Sequence, residues 1–194
     1  MRVCLLKYRE KITSLKPISL STIIEPTMNV VITPGEYKCS QVYFTETKPN
    51  IHIPNSTFNR ISYSTKDFVM NGIYLQFELF IRQNEQNYNS NIYNCQFDPN
   101  HDHNRVMLSI FHTIEASILD KWIRLSASSS SSSSSSGNTS TPSGDIIQQL
   151  RNGVISVWKN DMRHYDKPQF QHFIIKISGV WENETGCGLT YKFF

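Results

Sequence analysis

Alanine is almost missing from this 194-residue chain, which has only Ala116 and Ala127. Alanine is the best helix former, so its scarcity argues against an all-helical protein. Charge is scarce too: charged residues make up 18% and the formal net charge is +3. That excludes a histone-like binder working through bulk positive charge. No apolar run approaches the ~20 residues of a membrane span, and Val3–Leu6 is too short for the hydrophobic region of a signal peptide. Cys4, Cys39, Cys95 and Cys187 form no C-x-x-C and no zinc-finger spacing with histidine. Four free thiols in a reducing compartment are the expectation. Enzyme signatures are missing as well: there is no G-x-S-x-G, P-loop, G-x-G-x-x-G or H-E-x-x-H. The chain is therefore read as a non-enzyme that needs no cofactor and no metal. His101-Asp102-His103 is read as a solvated loop entering a helix, although its two histidines are where a metal would bind in a small hydrolase or nuclease.

Isoleucine, tyrosine, phenylalanine, asparagine and serine are abundant, and the first three favour strands. The first 27 residues form a basic arm, with Arg2, Lys7, Arg9, Lys11 and Lys16. Ser126–Gly144 has no large apolar side chain to offset its ordering entropy and is expected to be a disordered insertion within one domain spanning 28–194. Outside these two segments the pattern predicts strands over 29–33, 37–45, 58–64, 73–82, 92–97, 154–159, 170–181 and 188–194. The clearest is Ile73–Arg82, where Ile73, Leu75, Phe77, Leu79 and Ile81 share one face. Tyr74, Gln76, Glu78, Phe80 and Arg82 share the other. Asn71-Gly72 reads as a turn. Met107, Ile110, Phe111, Ile114, Ile118, Trp122 and Leu125 recur at helical period and predict a long amphipathic helix over 104–125. A short helix over 145–152 is expected, with Asp145 as N-cap and Asn152-Gly153 as stop. The expected architecture is mostly β with two helices, a barrel or a sandwich.

The candidate chemistry is stacking. Single-stranded nucleic acid is bound by aromatic faces beside basic side chains. Tyr74, Gln76, Phe80 and Arg82 stand on the face of the best strand that looks away from the core. Trp158-Lys159, Lys176 and Lys192 repeat the pairing of ring and cation on other strands. Tyr37, Lys38 and Tyr43 add another instance.

The order of parts carries a resemblance. Ile73-Tyr74-Leu75-Gln76 is followed by a polar turn, a return strand and a long helix ending near a tryptophan, at Ile118–Trp122. A variable insertion, a short helix, and strands like Val154–Lys159, Ile174–Trp181 and Gly188–Lys192 follow. Over residues 28–194 this resembles the single-stranded-DNA-binding proteins of large eukaryotic DNA viruses and related mobile elements. Those proteins are in turn similar to the replicative single-strand binders of T7-type phages. The resemblance implies an OB-like Greek-key barrel, whose strand 2–3 face binds oligonucleotides, with Tyr74, Gln76, Phe80 and Arg82 on that face. It also implies sequence-independent binding of single-stranded DNA, or RNA, in replication or repair. The setting would be the nucleus, the cytoplasm or a viral replication site, with no membrane and with a homo-oligomer as one form. The chain ends Leu189-Thr190-Tyr191-Lys192-Phe193-Phe194, without the acidic tail through which the phage proteins recruit replication enzymes.

The rival expectation is a structural jelly-roll or an interaction module with no nucleic-acid role. Strand connectivity separates the two folds: a closed five-stranded Greek key, or two four-stranded sheets.

Overall fold

The computed structural model describes residues 30–51, 53–86, 92–129, 141–158 and 167–194. Nine strands and two α-helices are present among them: β1 (Val42–Pro49), β2 (Thr57–Ser64), β3 (Val69–Asn71), β4 (Ile73–Gln86), β5 (Ile92–Phe97), α1 (Asp102–Ser129), β6 (Thr141–Pro142), α2 (Asp145–Arg151), β7 (Val154–Trp158), β8 (Gln169–Glu182) and β9 (Gly186–Phe193). The basic arm 1–27, residues 130–140 of the Ser-rich run, and Lys159 lie outside the described residues.

The alternation along β4 decides the architecture. Ile73, Leu75, Phe77, Leu79 and Ile81 are all buried, so one face of this strand must be covered along its length. β4 pairs antiparallel with β5 on one edge and β8 on the other. β5 pairs with β7, β8 pairs with β9, and β9 meets β7 in parallel at Val157–Phe193. The sheet thus closes on itself in the order β8-β4-β5-β7-β9. The fourth barrel strand, β8, returns beside the first, which defines a Greek key. The fold is an OB-like barrel, not two packed four-stranded sheets. β2 continues the sheet beyond the far half of β8, with β1 and β3 on β2, and β6 lies parallel to the start of β9.

Phe77, Phe173 and Phe193 fill the interior beside Ile155, Val157, Ile175 and Ile177. Helix α1 lays Leu108, Phe111, Ile114, Ile118 and Leu119 against this core, with the Phe111 ring edge-on to Phe77 at 4.9 Å. At ~25 cal/mol per Å² of apolar surface, a fully buried ring or branched side chain stabilises by about 1.5–3 kcal/mol.

Several expectations need correction. Of the strand expected over 29–33, Asn29 lies outside the described residues, and among 30–33 only Ile32 pairs, as a single parallel bridge to Leu75, because Pro34 follows and has no N–H to extend a ladder. The strand expected from Tyr37 begins at Val42, since a 3-10 turn occupies Cys39–Gln41. Helix α1 holds that turn: the Lys121 ammonium donates to the Cys39 carbonyl at 3.0 Å. The same helix runs on to Ser129, and Thr141–Pro142 pairs with β9, so the ends of the Ser-rich stretch belong to the fold. The N-cap of α2 is Gly144, not Asp145, and no side chain of the cap residue bonds there. The stop at Asn152-Gly153 is as expected, with Gly153 at φ +71°. On β8, a register shift between Ile177 and Gly179 turns Val180 inward and leaves Trp181 half-buried. A Cβ on Gly179 would collide with the Asn59 carbonyl oxygen and the Phe58 ring, so only glycine fits that crossing.

Candidate nucleic-acid interface

Outward positions on four barrel strands gather the candidates into a band. Tyr74 on β4 stands opposite Lys176 on β8, and Lys176 stands opposite Lys192 on β9. The Lys176 ammonium lies 5.1 Å from the centre of the Tyr74 ring. The Lys192 ammonium lies 4.1 Å from the Trp158 ring on β7 and 5.1 Å from the Phe194 ring. Trp158 is 48% and Phe194 38% exposed. The row Tyr74–Lys176–Lys192–Trp158 therefore crosses β4, β8, β9 and β7. At ~4.8 Å between strands it runs about 14 Å around the barrel. Ile174 lies beside it, paired with Gln76 and joined to Phe194 by two backbone hydrogen bonds of 2.9 and 2.8 Å.

The electrostatics of this row are distinctive. Two lysines directly opposite on neighbouring strands repel. Neither is in an ion pair among the described residues. Each ammonium instead rests on an aromatic face, which is worth ~0.5–1 kcal/mol at an exposed site. The nearest acid on β4, Glu78, lies four residue pairs along the ladder on the same face and faces two imidazoles, His172 at 3.4 Å and His103 at 3.8 Å.

The other candidates lie elsewhere. The Tyr37 ring is half-buried against Tyr63, and its hydroxyl is hydrogen-bonded to that of Ser117 at 3.0 Å; burial pushes this phenol well above the usual range. Lys38 is exposed and donates its backbone N–H to the Tyr63 hydroxyl at 3.0 Å. Tyr43 is exposed on β1 beneath the Lys121 ammonium, away from the band. Phe80 stacks on His101 at 4.4 Å and meets the edge of Phe170. The Arg82 guanidinium is tied to Asp98 at 2.7 Å. Gln76 uses its backbone N–H on the Ile32 carbonyl.

The resemblance placed Tyr74, Gln76, Phe80 and Arg82 on the strand 2–3 face. Counted within the barrel, β4 is the first strand and β5 and β7 are the second and third. That face carries the Ile92–Trp158, Asn94–Ser156 and Gln96–Val154 pairs, and of the described candidates Trp158 alone stands on it.

His101 and His103 diverge. The first stacks on Phe80 and the second places Nε2 3.1 Å from the Glu78 carbonyl. Among the described residues no group of three histidine, cysteine or acidic side chains is set to hold a metal ion. Cys39, Cys95 and Cys187 form no disulfide among the described residues, and burial raises the Cys187 thiol to about 11. No helix among the described residues is long and apolar enough to cross a membrane.

Sequence reasoning missed Phe194 and Ile174, whose signal was their alternation out of phase with Phe193, Phe173 and Ile175. Compared with protein-family models, with curated proteins and with solved structures, the chain matches none.

Proposed function

We propose that this protein binds single-stranded DNA without sequence preference, with bases stacked on Trp158 and Tyr74 and phosphates at Lys176 and Lys192. One observation carries the reading: two opposed lysines on the outside of an OB-like barrel, neither in an ion pair among the described residues, one over the exposed Trp158 ring and the other over the half-buried Tyr74 ring. Strand pairing sets the two lysines side by side, and each ammonium lies over its own ring, so a phosphate near either one meets positive charge. The neighbouring rings offer π-faces to any base, whatever its identity. Outside the basic arm the chain is too poor in charge to hold a nucleic acid by charge alone, so stacking must supply most of the affinity of the barrel. A role in replication or repair fits the resemblance described from the sequence.

The test is a fluorescence titration with oligo(dT) in 50 mM salt, with oligo(rU) as a second arm. Binding at or below ~10 µM is expected, within the range of non-specific binders. Trp158→Ala and Tyr74→Ala should each weaken it about 5- to 150-fold, since a stacked base is worth ~1–3 kcal/mol. Tyr43→Ala, off the band, should leave it unchanged. Absence of binding in this range, or equal losses at Tyr43 and Trp158, sinks the proposal.

A further inference from the structure

We infer a second binding site, independent of the band: a cleft between α1, α2 and the turn after β5 that takes a phosphate monoester on an organic body. The cleft has a volume of about 620 Å³. Arg105, Ser109 and His112 line it from successive turns of α1, at i, i+4 and i+7, which share one helix face. Arg151 enters from the last turn of α2. Leu108 and Ile147, both buried, form an apolar floor.

No carboxylate lines the cleft. The two acids nearest along α1 are both engaged. Asp102 contacts one nitrogen of Arg105 at 3.1 Å, leaving the rest of that guanidinium fork open. Glu115 points to α2 and accepts the Ile146 and Ile147 N–H groups at 2.9 and 3.0 Å. Neither Arg151 nor His112 is in an ion pair with a described residue. Two guanidiniums and an imidazole thus line one concave surface in a chain that is otherwise poor in charge.

A carboxylate is satisfied by one guanidinium fork. Forks from two different helices match the three terminal oxygens and double charge of a phosphate monoester. The volume is in the ~300–1,000 Å³ range of small-molecule sites, far more than a bare phosphate fills. The Leu108–Ile147 floor accordingly takes an apolar or aromatic body, such as a nucleoside.

The experiment is a calorimetric titration of the full chain with a nucleoside 5′-monophosphate, with the matching nucleoside and with inorganic phosphate. The monophosphate should bind, the nucleoside should bind at least tenfold more weakly, and inorganic phosphate should compete. Arg151→Gln and His112→Ala, both on exposed side chains, should each weaken the monophosphate at least fivefold. Oligo(dT) affinity of the same variants should stay within twofold of wild type, so the two sites fail or stand separately. Equal affinity for nucleoside and monophosphate, no binding at 5 mM, or an unchanged affinity in Arg151→Gln overturns the inference.

Discussion

The Asn104 side chain, buried at the start of α1, makes three hydrogen bonds with backbone groups. Its Oδ1 accepts the Phe80 N–H at 2.8 Å, and its Nδ2 donates to the carbonyls of Phe80 and Asp98, each at 2.9 Å. Strand β5 ends opposite Ile81, and the register shifts between Ile81 and Gln83, so Phe80 has no β5 residue beside it. Asn104 takes the place of that missing strand. Asn104→Ala should therefore destabilise the fold by about 2–4 kcal/mol in urea denaturation, because buried backbone groups lose their partners. A loss under ~1 kcal/mol would mean that water replaces the amide there. From the sequence Asn104 reads only as a residue near a helix start. Its partner lies 24 positions away, and nothing local announces it.

Between elements, the contact that decides the packing of α2 is Glu115. Its carboxylate caps α2 from another helix, where the Asp145 cap was expected, and the partial positive charge of a helix N-terminus favours an anion there. Asp145 instead accepts the Trp181 indole N–H at 3.4 Å. Burial nevertheless raises the Glu115 carboxyl above its ordinary value, outweighing the two backbone donors that lower it. A raised native value means that the folded state holds the proton more tightly than the unfolded chain. The stability tied to this proton is fully present below the unfolded value of 4.5 and is lost as pH rises through the native one. Glu115→Gln cannot ionise, so wild type should lose stability relative to this variant between pH 4 and pH 7. Denaturation curves of both proteins across that interval check the sign. A wild-type advantage that grows with pH would show that the helix N-terminus outweighs burial.

Over the whole molecule, low net charge and a compact band limit how strongly salt can act on DNA binding. Each phosphate neutralised on a single strand contributes a slope of about 0.7 in log K against log salt. Two lysines predict a slope near −1.4 from the band, and Lys176→Gln or Lys192→Gln should each reduce it by about 0.7. Trp158→Ala should lower affinity at all salt concentrations with little change of slope. A slope of −4 or steeper that is unaffected by either lysine would place the phosphate contacts elsewhere on the chain.

Much of this fold is legible in the sequence because its signals are local. The period-2 pattern of β4, the helical stripe of α1, and Gly153 behind α2 each follow from the sterics of neighbouring residues. The outward positions of Tyr74, Lys176, Trp158 and Lys192 are legible for the same reason, since alternation assigns a face. Tertiary pairing alone decided which of those outward residues meet. Lys176 faces Lys192 because β8 and β9 pair in one register. Trp158 reaches Lys192 because β9 closes the barrel beside β7, while Phe80 and Tyr43 are outward yet far from the band. Alternation states which side of a strand a residue takes. Only the order and register of strands, set by burying all the inner faces at once, states what stands next to it.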